Sequence, residues 1–235
     1  MRGKKRLFYP LLLALVATFF AGQARADLYW ETRSVSVNIS GQSNGNSIQR
    51  YYFTPYASRV ELGAGNVTIV RYKSMKLFLL NAGKRSCTEI NLKKLPQIPG
   101  MEGENQKELA QMLGGVMGTQ VHPVDRYETI AGYRCREYHV RIAIVNGEYW
   151  VSKDVEGYRE LKAIGREAEE VAEYNPLFRQ VDIAGLVRKL DGFPVRTVNH
   201  VMGGTVTTTL TKIVRSPLDP ALFTIPRNYT MKKML

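Results

Sequence analysis

A short Gly-x-Ser-x-Gly match is the first feature of the sequence that could carry chemistry. Residues 41–45 read Gly-Gln-Ser-Asn-Gly, which fits the sharp turn that exposes the nucleophilic serine of many hydrolases. That turn needs a helix after it, whereas Ile48 to Tyr56 alternates like a strand. Because Asn-Gly is also a strong hairpin signal, the sequence predicts a hairpin here. A hydrolase built on Ser43 has only this match to support it.

The histidines and the nearby carboxylates form no catalytic or metal-binding pattern. His122, His139 and His200 are the three histidines of the chain, and none has a second ligand at a spacing such as His-Glu-x-x-His. Asp125 and Glu128 lie three residues apart, which does not specify an acid–base pair. No glycine-rich phosphate loop leads from a strand into a helix. We therefore predict that the protein is not an enzyme and that it has no metal or cofactor.

Two cysteines, Cys87 and Cys135, complete the set of reactive side chains. In an oxidising compartment a lone pair of cysteines usually forms a disulfide, and closing a loop of about 49 residues would stabilise the fold by roughly 4 kcal/mol. Strand alternation places Cys87 with Glu89, and Cys135 with Glu137, on the more polar face. We predict a Cys87–Cys135 disulfide, with two unpaired buried thiols as the alternative.

The N-terminus has the three parts of a cleavable signal peptide. Residues 1–6 are basic, residues 7–20 are an apolar run of 14, and Ala24-Arg25-Ala26 is a small-x-small cleavage signature. A spanning helix needs about 20 apolar residues. We therefore expect cleavage between Ala26 and Asp27, a protein in the periplasm, and no transmembrane segment in the mature chain.

The net charge of the mature chain limits the classes of partner that it could bind. The signal peptide holds five of the 33 basic residues and none of the 21 acidic ones, so the net charge falls from +12 to +7. Outside the cytoplasm, such a protein meets anionic head groups and acidic polysaccharides, although solubility alone explains this charge. The 13 tyrosines could stack on the bases of a single-stranded nucleic acid. Because the signal peptide directs the chain out of the cytoplasm, we expect no nucleic acid partner.

Most of the mature chain has the alternating pattern of strands. The first runs are Ser34 to Ile39, Ile48 to Tyr56, Arg59 to Leu62, Val67 to Tyr72, Lys76 to Leu80 and Arg85 to Leu92. The strand-like runs are separated by turn clusters at residues 41–47, 63–66, 81–83 and 146–147, each rich in Gly and Asn. Short strands joined by tight turns are typical of an antiparallel meander.

Two inserts change to the helical period. Residues 105–117 carry an apolar stripe at helical spacing, and residues 161–190 hold two further helical stretches that meet at Asn175-Pro176. The apolar side of these helices must be buried, and a large sheet curls. We predict a single α+β domain over residues 27–235. It is mainly antiparallel, with about ten strands in a strongly curved half-barrel sheet and helices packed on the concave face.

The order of these elements resembles the outer-membrane lipoprotein carrier (LolA/LolB-like) fold. The stretches that carry the resemblance are residues 130–138, 147–150, 192–195 and 222–229, which read IAGYRCREY, GEYW, GFPV and LFTIPRNY. They look closer to an uncharacterised branch, periplasmic domains of unknown function. No cysteine near the cleavage site could accept a lipid, so the chain is more similar to the soluble carrier than to the anchored receptor. The resemblance implies no catalytic residues.

These lines converge on a periplasmic, non-enzymatic carrier or binding protein for a lipid, an acyl chain or a lipid-modified partner. The Met-rich helix over residues 105–117 would be a lid or an ordinary cover of the core. The alternative is a cell-envelope protein-interaction or sensing module with a closed core, and a secreted hydrolase has less support. The residues predicted to line the ligand site are Tyr52, Val70, Leu79, Met112, Val116, Tyr138, Val140, Ile142 and Trp150.

Overall fold

The computed structural model describes residues 27–94, 119–142, 145–163 and 189–234. Most of these residues lie in β-strands, with short 3₁₀ helices at Leu92–Lys94 and Pro220–Phe223 and a helical stretch over residues 158–163. The strands are β1 (Leu28–Val37), β2 (Gly45–Phe53), β3 (Ala57–Glu61), β4 (Asn66–Arg71), β5 (Lys76–Asn81), β6 (Ser86–Asn91), β7 (Thr119–Ile130), β8 (Tyr133–Ile142), β9 (Val145–Ser152), β10 (Phe193–Val201), β11 (Gly204–Arg215) and β12 (Thr230–Met234).

All twelve strands belong to one open sheet in the order β12-β6-β5-β4-β3-β2-β1-β11-β10-β9-β8-β7. Every neighbouring pair is antiparallel except β12, which runs parallel to β6. The predicted, mainly antiparallel fold is confirmed, with two more strands than the ten expected. Strand β12 was not predicted, because its sequence, Thr-Met-Lys-Lys-Met, has the lysines common on edge strands rather than a clear alternation.

The predicted helices fall largely outside the described residues. The stretch 105–117 lies there completely, and the described part of 161–190 consists of its first and last few residues. The strong curvature of the sheet and the packing of helices on its concave face therefore stay predictions.

Of two predicted hairpin turns, the one at residues 41–47 is confirmed and the one at residues 146–147 is wrong. Strands β1 and β2 pair as an antiparallel hairpin around residues 38–44, which confirms the hairpin at the Gly-x-Ser-x-Gly match. The turn predicted at residues 146–147 was wrong, because Ile142 pairs with Val145 and both residues of the Asn-Gly pair lie inside β9. A Cβ atom on Gly147 would lie 2.5 Å from the carbonyl oxygen of Val198, so close packing against β10 explains this glycine.

The register of the sheet gives it one charged face. Successive residues of a strand point to opposite sides, so cross-strand partners share a face. Glu31 is opposite Arg50, and Arg50 is opposite Glu61; Glu137 and the neighbouring side chains of that parity continue the row on β8. We call this side the charged face.

The other side, which we call the uncharged face, is built from the alternate residues of the same strands. Trp30 is opposite Tyr51, which is opposite Val60, and Val70 is opposite Leu77 on the next pair. Among the paired residues of β1–β11, the uncharged face carries no acidic side chain. Its charged residues are Arg134, Arg136 and Arg215.

A C-terminal segment, residues 216–229, covers part of the charged face. Ile69, Phe78, Leu80 and Cys87 form a buried cluster on β4–β6, and Ile225 and Tyr229 pack against it. The segment is also held by polar contacts, because the guanidinium groups of Arg59 and Arg71 donate to the carbonyl oxygens of Leu222 and Phe223, each at 3.0 Å.

The predicted disulfide is not formed. Cys87 and Cys135 are both free and buried, and eight strands separate β6 from β8 in the sheet. Alternation correctly placed both on the charged face, opposite Leu80 and Glu128 respectively. Strand order then put them in different hydrophobic clusters, so the alternative of two buried thiols holds.

Candidate functional site

A cavity of about 240 Å³ lies on the uncharged face, where five central strands meet three residues from outside the sheet. Strands β2, β1, β11, β10 and β9 form its floor. Leu161, from the helical stretch, and Leu190 and Gly192, just before β10, complete it. The lining residues are Trp30, Thr32, Tyr51, Tyr149, Leu161, Leu190, Gly192, Phe193, Pro194, Val195, Thr197, Thr208 and Leu210.

Aromatic rings stacked around Trp30 make the floor of this cavity rigid. The Trp30 ring lies 4.8 Å from the ring of Tyr51 and 5.0 Å from that of Phe53, with nearly parallel planes. The ring of Phe193 meets it edge-on at 5.4 Å. Such stacked and edge-on pairs add stability beyond area burial. The register dictates this arrangement, since Trp30 and Tyr51 are direct cross-strand partners.

The polar groups at the cavity are neutral and satisfied. The Tyr51 hydroxyl donates to Oε1 of Gln49 at 2.7 Å, and the Tyr149 hydroxyl donates to Oδ1 of Asn199 at 3.2 Å. Burial raises the pKa of Tyr51 and of Tyr149, so both phenols stay protonated at neutral pH. The cavity therefore offers apolar surface and neutral hydrogen-bonding groups. It can hold an apolar group, and none of its lining residues in the described ranges is an ionised base or a nucleophile.

An apolar patch on β3–β6 extends the cavity along the same face. Tyr51 at the cavity edge is opposite Val60 on β3. On the same face, Val70, Leu77 and Ile90 form the neighbouring cross-strand row on β4–β6. These side chains are half-buried, and Leu79 is 42% exposed. We call Val60, Val70, Leu77, Leu79 and Ile90 the open patch.

The predicted lining residues divide between the two faces. Val70 and Leu79 belong to the open patch. Tyr138, Val140 and Ile142 lie on the uncharged face of β8, where Tyr138 and Val140 form a buried cluster with Tyr149, Val151 and Leu190, and Ile142 packs against it.

Two other predicted lining residues, Tyr52 and Trp150, lie on the charged face. Tyr52 is opposite Arg59. Trp150 is opposite Glu137, although its ring joins the core cluster of Trp30 beside the register shift in β10. Met112 and Val116 lie outside the described residues.

The residues that sequence reasoning missed are mainly Trp30 and Tyr51. The strand assigned from the pattern began only at Ser34, six residues late, so Trp30 was not placed on a face. Tyr51 and Tyr52 are adjacent, and the parity of β2 decides which of them faces the cavity. The alternation of Leu28, Trp30 and Thr32 could have placed Trp30 on a face, and its cross-strand partner Tyr51 shares that face.

Two of the histidines considered as catalytic or metal-binding candidates lie away from the cavity. His139 is 3.3 Å from Glu137, and His200 is 3.0 Å from Glu148, both on the charged face. In the part of the chain that the structure describes, no three His, Cys, Asp or Glu side chains are grouped to hold a metal ion, and no helix there is long and apolar enough to cross a membrane.

A further cavity of about 560 Å³ lies between β3–β4 and the C-terminal segment. Its walls combine apolar residues with Arg71 and Lys73. It is separate from the uncharged face and from the residues predicted to line a ligand.

Comparison with known proteins gives a family and several distant structures. A family model described as "Domain of unknown function (DUF4412)" matches residues 34–229. None of the curated proteins matches the chain. The structure of PNGF-II in its P21 space group matches with 11% identity and a TM-score of 0.42, covering 89% of this chain and 32% of that one. The present chain thus spans about a third of the length of that protein.

Two further matches carry the name expected from the sequence. A LolA superfamily protein from Nitrosomonas europaea is 10% identical, with a TM-score of 0.34 and coverage of 85% of this chain and 90% of that one. A putative outer membrane lipoprotein-sorting protein domain from Vibrio parahaemolyticus is 11% identical, with a TM-score of 0.33 and coverage of 91% and 95%. The family match agrees with the predicted branch of domains of unknown function. Likeness at this level says nothing about ligand or activity.

Proposed function

The chain belongs to the DUF4412 family, and we propose that it is a non-enzymatic periplasmic carrier or binding protein for a lipid, an acyl chain or a lipid-modified partner. The observation that carries this proposal is the uncharged face, which has no acid and three arginines among the paired residues of eleven strands. A large face with so few charged side chains is suited to apolar groups, because a buried unpaired charge is costly.

The size of the cavity sets how a ligand would lie. About 240 Å³ is below the roughly 300–1,000 Å³ of typical ligand pockets. A long chain would therefore start in the cavity beside Trp30 and continue over the open patch, where Leu79 and its neighbours are accessible. A closed core, as an interaction module of the cell envelope would have, fits this surface less well.

The expected affinity follows from burial. A twelve-carbon chain gains about 0.8 kcal/mol per buried CH₂ group, or roughly 10 kcal/mol. Loss of translational and rotational freedom costs at least about 4 kcal/mol. At most about 6 kcal/mol therefore remains, which corresponds to a dissociation constant of tens of micromolar or weaker and suits a carrier that must release its cargo.

The remaining parts of the proposal come from the sequence. Residues 1–26 would direct export and be removed before Asp27, and residues 27–235 would fold as one LolA-like domain. The helical inserts would pack on the concave side of a strongly curved sheet and close over the ligand, with Met112 and Val116 among the lining residues. Release would follow when a partner displaces these inserts.

The test uses energy transfer from tryptophan to dansylaminoundecanoic acid. The chain has two tryptophans, so the variant Trp150→Phe leaves Trp30 as the only donor. We expect saturable transfer to the dansyl group in this variant. In the matched variant Trp30→Phe, Trp150 is the only donor. Its ring packs in the same core cluster, so transfer should still occur, but the titration should show weaker binding because the cavity floor loses its central ring. Absence of saturable transfer in both the Trp150→Phe variant and the wild-type protein would overturn the proposal.

A further inference from the structure

The charges on the uncharged face are not equivalent. Of the three arginines, Arg215 forms an ion pair of 2.5 Å with Glu160. Arg134 and Arg136 lie two residues apart on β8, and among the described residues no carboxylate forms an ion pair with either of them. Two adjacent guanidinium groups that form no ion pair with a described residue therefore stand at the end of this face.

Aromatic rings hold these guanidinium groups in place. That of Arg134 lies 5.2 Å from the centre of the Tyr127 ring. That of Arg136 lies 6.0 Å from the same ring and 5.8 Å from the ring of Tyr138. Nε of Arg136 also donates to the carbonyl oxygen of Val124 at 3.1 Å, which leaves its terminal nitrogens available. Stacking of this kind positions a guanidinium without neutralising it.

The two arginines open into a cavity of about 280 Å³ at the end of β8 and β9. We call this cavity the arginine pocket; it is lined by Tyr127, Arg134, Arg136, Tyr138, Val151, Ser152, Lys153, Asp154 and Asp191. Asp191 is neutralised by Lys153 at 2.5 Å. Asp154 then stands against two arginines, so the arginine pocket has a net formal charge of +1.

The arginine pocket adjoins the proposed acyl site through shared residues. Tyr138 lines the arginine pocket and belongs to the same buried cluster as Tyr149 and Leu190. Tyr149 and Leu190 in turn line the cavity beside Trp30. One continuous surface therefore joins an apolar site to two guanidinium groups that form no ion pair with a described residue.

We propose that the arginine pocket binds an anionic group, a phosphate or a carboxylate, at the head of an amphiphile whose acyl chain lies on the uncharged face. This inference rests on the proposed function and names its ligand class. Arginine suits the task because its planar fork of N–H donors matches the oxygens of phosphate and carboxylate. The head group would fix the direction in which the chain enters.

The experiment compares two ligands that share one chain and the glycerol unit. Calorimetric titration with lauroyl lysophosphatidic acid and with monolauroylglycerol, both below the concentration at which they form micelles, measures the contribution of the phosphate. We expect the wild-type protein to bind the anionic ligand at least tenfold more tightly. The double variant Arg134→Gln/Arg136→Gln should lose that preference and keep its affinity for monolauroylglycerol.

The matched control is Arg141→Gln, an exposed arginine of the same strand on the charged face, which should keep the preference. Equal affinity of the wild-type protein for both ligands overturns the head-group site and leaves the proposed function standing. If neither ligand binds, the proposed function fails, and this inference fails with it. If inorganic phosphate binds as tightly as the lysophosphatidic acid, the arginine pocket is a site for free anions and the head-group assignment is wrong.

Discussion

The two sides of strands β3–β6 differ in how they are covered. On the charged face, Ile69, Phe78 and Leu80 are buried beneath the C-terminal segment. On the uncharged face, Val70, Leu77 and Leu79 come from the same strands and stay half-buried or exposed. On these strands, the apolar side chains of the charged face are thus more deeply buried than those of the uncharged face.

The arginines of the charged face explain this difference. Arg59 and Arg71 donate hydrogen bonds to the backbone of the C-terminal segment, so the cover is fixed by directional contacts as well as by apolar packing. Among the paired residues of β2–β6, the uncharged face carries no arginine or other charged side chain. Apolar contact is not directional, so a cover on this face can be exchanged for a ligand. Charged residues around an apolar cluster can therefore fix in place the segment that buries the cluster.

The largest expected effect comes from placing a lysine on each face in turn. Leu80→Lys puts an unpaired charge inside the cluster under the C-terminal segment, and we expect a loss of more than about 3 kcal/mol in the free energy of unfolding. Leu79→Lys, one residue earlier, should cost less than about 0.5 kcal/mol but weaken binding of the dansyl fatty acid. Urea unfolding and the energy-transfer titration measure the two effects. Equal destabilisation by both variants would mean that the faces do not differ as described.

The next effect concerns the cover itself. Phe223 is buried and meets the ring of Tyr56 edge-on at 5.7 Å. Phe223→Ala should lower the free energy of unfolding by about 3 kcal/mol, since it leaves a cavity beneath the segment. Leu62→Ala, at a residue that is half exposed, is the control and should cost less than about 0.5 kcal/mol. A small effect of Phe223→Ala in urea unfolding would show that the segment is held mainly by Arg59 and Arg71.

A smaller effect appears at alkaline pH. Burial raises the pKa of Cys135 to about 11 from an ordinary value near 9. The folded state therefore binds the thiol proton more tightly than the unfolded state, and this contribution to stability is present below pH 9 and lost as the pH rises towards 11. The wild-type protein should lose more stability than Cys135→Ala between these pH values. Parallel pH profiles of the two proteins in thermal unfolding would contradict a protonated, buried thiol.

The free state of both cysteines has its own check. Because Cys87 and Cys135 are unbonded and buried, a thiol reagent added without reductant should label neither in the folded protein and both after unfolding. Mass spectrometry counts the labels. Protein that stays unlabelled after unfolding without reductant would contain the disulfide that the structure lacks.

The smallest effect should come from an ion pair on the charged face. Nζ of Lys76 lies 2.7 Å from Oε1 of Glu89, and the lysine is partly exposed. Lys76→Gln should cost no more than about 1 kcal/mol, and 1 M salt should remove most of the difference because it screens such pairs. A loss that persists in high salt would indicate that this pair, like the arginines, helps to hold the sheet against its cover.

The sequence by itself determined the local structure of this protein. Alternation gave the antiparallel strands from β2 to β6 to within a few residues, and it placed Cys87 and Cys135 on the same face as their neighbouring glutamates. The Gly-x-Ser-x-Gly match was rightly assigned to a hairpin. These features follow from the two-residue period of a strand and from turn chemistry, which involve neighbours in the chain.

Only the tertiary structure decided which strands lie side by side. It placed β1 next to β11, so that Trp30 and Leu210 share one cavity, and it separated the two cysteines by eight strands. It also selected Tyr51 over Tyr52 for the cavity and brought Arg134 and Arg136 to the end of an uncharged surface. The physical reason is that strand order depends on contacts between distant segments. Alternation fixes on which side of a strand a residue lies, but it does not specify what that side will meet.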